Sequence, residues 1–161
     1  MKKPKTMTPA EQRVAIAKDA LAWIEAGALK PRTGAYVSPT HDFNLGDFGK
    51  QLRDTVLGQC VTCALGAMFI AKAVRFDECP VTGVSTFFGS NVRMRLAQHF
   101  EIKQIGLIEA AFECCPSYSP LLDPAAAVRF GRKYRSDRNR LTAILCNIIA
   151  NDGTFVPEAR S

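Results

Sequence analysis

The sequence predicts an all-α fold, a single-domain bundle of about six helices, on three observations. Apolar residues recur at helical spacing in segment after segment, a period of two is hard to find, and one segment, Cys60–Val74, is apolar on every side. Apart from Thr62 and the near-terminal Lys72, nothing in CVTCALGAMFIAKAV prefers water. A helix apolar all round belongs inside. At 1.5 Å per residue it would run roughly 22 Å, close to the width of a small domain, so Cys60–Val74 is expected to be the buried central helix.

The bulk numbers agree with one domain over residues 1–161. A chain of 161 residues can bury a self-sufficient core, and 47% apolar with 22% charged residues is a globular composition. The net charge of +6 suits an acidic partner such as nucleic acid or an acidic protein surface. The start, MKKPKTMTPAEQ, is basic with no hydrophobic segment behind it, unlike a secretory signal, and no apolar run approaches the roughly 20 residues of a membrane span. A soluble cytoplasmic protein is expected. Its six cysteines, Cys60, Cys63, Cys79, Cys114, Cys115 and Cys146, are expected reduced, four of them in apolar helical contexts that suit buried thiols.

Met1–Met7 reads as a flexible basic tail. Thr8, Pro9 and Glu11 then form a capping box with proline at the first helical position. Val14, Ala17, Leu21, Ile24 and Ala28 follow as the inward stripe, widened by Ala20 and Trp23, and Gly27 is the natural stop. Lys30 to Asn44, with its prolines and short polar residues, reads as a loop, and Asn44–Leu57 as a short helix. After the central helix, Phe76–Gly83 is expected to connect. Ser85–Phe100 reads as helical, with Arg93, Arg95 and Gln98 outside. A second series, Ile102, Ile105, Ile108 and Phe112, either continues it or starts afresh near Lys103, and ends at Cys115–Pro116. Asp123 and Pro124 can cap and start a helix through Ala125–Tyr134. The last helix is Asp137–Asn151, capped by Ser136, with Leu141, Ile144, Leu145, Ile148 and Ile149 inward; beyond it Phe155 and Val156 are expected to fold back onto the core.

The chemistry is sparse. Cys60-x-x-Cys63 has redox spacing, and Gly58–Gln59 would place Cys60 near a helix N-terminus, where a thiolate is favoured. A thiol-dependent or redox enzyme built on Cys60 and Cys63 is therefore one alternative, although such a site wants a preceding strand. Zinc would need four ligands, and Cys79 and the adjacent Cys114–Cys115 could in principle complete a set with Cys60 and Cys63. His41 and His99 are the only histidines, and Glu109 with Glu113 reads as a solvated edge. No phosphate-binding glycine motif occurs. Neither a catalytic residue, a cofactor nor a metal is assigned.

The basic run is the best functional signal. Arg129, Arg132, Lys133, Arg135, Arg138 and Arg140 put six cations in twelve residues against one acid, Asp137, with Phe130 and Tyr134 between them. Guanidinium forks suit phosphates and carboxylates, and interleaved aromatics can stack on bases. The other reading is a solvated hinge whose charges pair with acids elsewhere.

Cys63-Ala64-Leu65-Gly66-Ala67 and Asn147-Ile148-Ile149-Ala150-Asn151-Asp152-Gly153-Thr154-Phe155-Val156-Pro157 resemble segments of small, largely uncharacterised proteins of bacteria, bacteriophages and mobile elements. The resemblance implies an accessory role, such as modulating a host factor or a defence component, and transfers no catalytic residue. The expectation is a small non-enzymatic binding or regulatory protein engaging nucleic acid, or a nucleic-acid-handling host protein, through Arg129, Arg132, Lys133, Tyr134, Arg135, Arg138 and Arg140. A further alternative is a helical subunit that assembles with itself through Phe-rich stripes.

Overall fold

The first helix, α1 (Pro9–Glu25), begins as its capping box dictates. The Thr8 hydroxyl accepts from the Glu11 amide at 3.2 Å, and the Glu11 carboxylate accepts from the Thr8 amide at 2.7 Å. These two bonds satisfy two of the donors a helix start leaves orphaned. A computed structural model describes residues 6–34, 37–39, 60–77, 89–116 and 123–158. The buried face of α1 is Ile16, Ala17, Ala20 and Ile24, so Ile16 joins the expected stripe while Val14 and Leu21 are only half-buried.

Six α-helices lie among the described residues, arranged as a bundle. The chain runs from α1 into β1 (Leu29–Pro31), β2 (Val37–Pro39) and β3 (Cys60–Thr62). It continues through α2 (Ala64–Lys72), α3 (Gly89–Leu96), α4 (Ile102–Glu113), α5 (Ala125–Arg132) and α6 (Asp137–Ala150). The expected short helix Asn44–Leu57 lies outside the described residues.

Cys60–Val74 is not one helix. Cys60–Thr62 is a strand, the helix starts at Ala64, and its end widens into a π-helical turn over Ala73–Asp77. The central role nevertheless holds. All nine residues of α2 are buried, and the helix packs on α1, α3, α4, β1 and β3. Thr62 and Lys72, the two residues expected to prefer water, are 0% and 1% exposed. Lys72 Nζ donates to Gln98 Oε1 at 2.7 Å, whereas the Thr62 hydroxyl has no partner among the described residues. Arg75 in the π turn is held by Asp19 of α1 through Nε at 2.6 Å and Nη2 at 2.7 Å.

The region expected as a loop contributes two edge strands to a three-stranded sheet of order β1-β3-β2. β1 runs parallel to β3 with Leu29 opposite Cys60, and β2 runs antiparallel with Val37 opposite Thr62. Pro31 and Pro39 lie in the edge strands, where a missing amide costs no ladder bond on the outer side.

Two further expectations change. The helical series of Ser85–Phe100 stops at Leu96, and α4 starts afresh at Ile102, so the two do not fuse. Ile102 itself is 76% exposed, leaving Ile105, Ile108 and Phe112 to face inward. α4 ends on Cys114 in the left-handed region at φ 54. At the far end, α6 stops at Ala150 with Asp152 and Gly153 at positive φ. The Gly153 amide reaches back to Ile148 O at 2.8 Å, which closes the helix.

The segment after α6 is tied down by side-chain amides. Asn147 donates to Val156 O at 2.9 Å and accepts from Val156 N at 2.8 Å. Gln104 of α4 does the same to Phe155, at 3.2 Å and 2.6 Å. Phe155 is thereby fixed in the core, edge-on to Phe130 at 5.2 Å.

Candidate functional site

The amphipathic pattern of α5 places Ala127, Val128, Phe130 and Gly131 inward. Arg129 and Arg132 are left on the opposite face with Lys133 just beyond the helix end. Three residues later Ser136 caps α6, its hydroxyl accepting from Asn139 N at 3.1 Å. The chain therefore turns a tight corner between α5 and α6. Arg129, Arg132, Lys133, Arg135 and Arg138 are all exposed on it.

Arg140 builds this corner instead of lining its surface. Its Nε donates to Gly131 O at 3.1 Å, Nη2 to Tyr134 O at 3.1 Å, and Nη1 to both Phe112 O at 3.0 Å and Asp137 Oδ1 at 2.9 Å. Phe112 and Gly131 stand in the last turns of α4 and α5, where carbonyls run short of intrahelical partners and the helix dipole is negative; Gly131 O also accepts from the Tyr134 amide at 3.1 Å. One guanidinium thus neutralises two helix ends at once. Only 11% of its side chain remains accessible, so little of it can reach a ligand.

The acids beside the corner are engaged by internal donors as well. Asp137 accepts from the Thr33 amide at 2.8 Å in addition to Arg140, and Glu113 accepts from the Gly34 amide at 2.9 Å. Burial pushes the Glu113 carboxyl above its usual range, Asp137 adds to the effect, and the Gly34 bond and Arg140 oppose it. Glu109 pairs with Arg93 across α3 and α4. Glu109 and Glu113 are both half-buried, so the edge expected of them is only partly solvated.

With those acids occupied, Arg129, Arg132, Arg135 and Arg138 have no hydrogen-bond or ion-pair partner among the described residues. Lys133 Nζ stands 5.8 Å from the centroid of the Phe130 ring, at the outer limit of a cation–π contact. The aromatic members of the run turn inward. Phe130 is buried, and Tyr134 is half-buried with its ring 5.6 Å from that of Phe130.

The cysteines divide differently from expectation. It is Cys63, not Cys60, that caps the core helix. A strand does precede it, yet the thiol is buried. Burial pushes its pKa up to about 11; the amides of Gly66 and Leu65 favour the thiolate less strongly, and nearby Glu113 disfavours it. Cys114 is half-buried, while Cys115 and Cys146 are exposed, contrary to the expectation of buried helical thiols. Among the described residues no group of three or more His, Cys, Asp and Glu is placed to hold a metal ion, and no helix is long and apolar enough to cross a membrane. His99 serves packing, with Nδ1 at 3.0 Å from Gln12 Oε1 and its ring 5.0 Å from Phe76. His41 lies outside the described residues.

An open cleft runs along α1, lined by Met7, Ala10, Glu11, Val14, Ala15, Lys18 and Asp152. It contains none of the corner cations. The chain matches no protein-family model, no curated protein and no solved structure.

Proposed function

We propose that this chain is a small, non-enzymatic binding protein that engages the phosphate backbone of nucleic acid through the corner between α5 and α6. The observation that supports this reading is the set of four exposed arginines, without a partner among the described residues, beside acids already bonded to internal donors. Like charges on neighbouring helical positions, about 6 Å apart, repel by roughly 0.7 kcal/mol per pair in water before screening. A polyanion relieves that repulsion and releases its own counterions on binding. The accessory role implied by the phage-like segments is compatible with such a partner, whether the nucleic acid is met alone or in a host complex.

Reversing Arg132, Lys133 and Arg135 to Glu tests the reading, because all three side chains are exposed. Binding to labelled nucleic acid, followed by fluorescence anisotropy at low salt, is expected to disappear while the helical circular dichroism stays unchanged. Undiminished binding would remove the corner from consideration.

A further inference from the structure

We infer that the ligand of this corner is a duplex, held by its phosphates alone; the inference rests on the nucleic-acid reading above and narrows it to one form of nucleic acid. Three observations carry it. The first is the direction of the aromatics. Proteins that hold single strands combine a basic track with aromatic platforms, and each stacked base is worth about 1–3 kcal/mol. At this corner the two aromatics within the basic run are directed to packing: Phe130 is 7% exposed and edge-on to Phe155, and the Tyr134 ring lies against Phe130. The platform that a single strand requires is not offered by these residues.

The second observation is the fixed backbone. Arg140 ties Phe112, Gly131, Tyr134 and Asp137 together, and Gly131 lies against Ala111 too closely for any side chain. Ser136 locks the start of α6. The Cα positions that carry Arg129, Arg132, Lys133, Arg135 and Arg138 are therefore set before binding. A preset array loses little freedom when it meets an equally stiff partner, and duplex DNA is stiff over about 150 base pairs. A single strand would have to be ordered along it.

The third is charge density. A duplex presents one charge per about 1.7 Å of axis against about 3.4 Å for one strand, so five clustered cations meet more phosphates within the same reach. The exposed polar side chains of the corner other than these cations are Ser136 and Asn139. Ser136 is committed to its cap, so base edges can be read only by Asn139 or by arginines withdrawn from phosphates, and each such withdrawal gives up a phosphate contact.

The test compares the full chain on two short labelled duplexes of unrelated sequence and on their separated strands, at about 50 and 200 mM salt. The expected result is equal affinity for the two duplexes and at least tenfold weaker binding to every strand. Duplex affinity should fall roughly 500-fold between the two salts if all five cations neutralise a phosphate. Single strands bound as tightly as duplex, or one duplex preferred tenfold over the other, would overturn the inference while leaving the nucleic-acid reading intact. No binding to either form would overturn both.

Discussion

Gly131 and Ala111 bring α5 and α4 to a separation that only glycine permits: a Cβ on Gly131 would stand 1.8 Å from the Ala111 carbonyl oxygen and 3.2 Å from Cys114 Sγ. The obstacle is backbone, which cannot swing aside as a side chain can. Gly131→Ala must part the two helices, and a loss of about 3 kcal/mol is expected. Denaturant unfolding of the variant checks this; a loss below about 1 kcal/mol would mean that the contact is not tight.

Arg140 donates to four acceptors drawn from α4, α5, the linker and α6. Arg140→Lys keeps the charge but loses the planar fork, so most of the carbonyls must find water or stay unpaired. The lysine variant is expected to lose about 2 kcal/mol and Arg140→Ala somewhat more. If lysine restored full stability, charge alone would explain the site and the geometry would not matter.

The Glu113 carboxyl, held above its usual range chiefly by burial, gives a pH signature. A group whose folded pKa is raised contributes stability fully below its unfolded pKa and loses that contribution as pH rises through the folded value. At neutral pH the ionised Glu113 therefore carries a penalty. Glu113→Gln still offers an oxygen to the Gly34 amide, and its unfolding free energy at pH 7 should exceed that of the parent, by well under about 1 kcal/mol because the site is half-solvated, which a higher melting temperature would register. The advantage should vanish below about pH 4. A variant less stable at pH 7 would show that the hydrogen bond from Gly34 outweighs burial.

Cys63 and Cys146 should separate cleanly by alkylation. With its pKa raised from 9.0 to about 11, Cys63 is a thiol at neutral pH and inaccessible, whereas Cys115 and Cys146 are exposed. Peptide mass spectrometry after brief iodoacetamide treatment should find the latter two modified and Cys63 untouched until urea unfolds the chain. The linkage runs in the same sense: the contribution of Cys63 to stability is full below pH 9 and is lost as pH climbs towards 11. Rapid native labelling of Cys63 would revive the thiol chemistry that its spacing suggests.

The two bonds between the Asn147 carboxamide and Val156 should be worth about 1–2 kcal/mol together. Asn147→Ala is expected to lower stability by that amount and to expose the Val156 amide to hydrogen exchange. Slow exchange in the variant would show that Phe155 and Gln104 suffice to hold the segment.

Local chemistry explains where the sequence was legible. Thr8, Pro9 and Glu11 specify the start of α1 within four residues, and Ser136 does the same for α6. Apolar spacing found Leu141, Ile144, Leu145 and Ile148. It erred at Ile102, which lies on the first turn of α4 and is exposed, since spacing cannot tell where packing neighbours end. The strand Cys60–Thr62 was hidden because its partners, Leu29–Pro31 and Val37–Pro39, lie well over a dozen residues earlier, and three residues are too few to display a period of two. Five corner cations were legible because exposure is the ordinary state of a charge. The diversion of Arg140 and Glu113 inward was not, since it depends on helix ends and a turn from elsewhere in the chain.

The sequence alone determined the helical class, the caps, the α2 segment, apolar but for Lys72, and the density of positive charge, all of which are properties of neighbours a few residues apart. Tertiary structure decided which charges remain free. The carbonyls of Phe112, Gly131 and Tyr134 converge on Arg140, and the Thr33 and Gly34 amides occupy Asp137 and Glu113. Hydrogen-bonding groups that fold together must find partners or lose solvation, and satisfying them here left Arg129, Arg132, Arg135 and Arg138 facing outward without a counter-charge among the described residues.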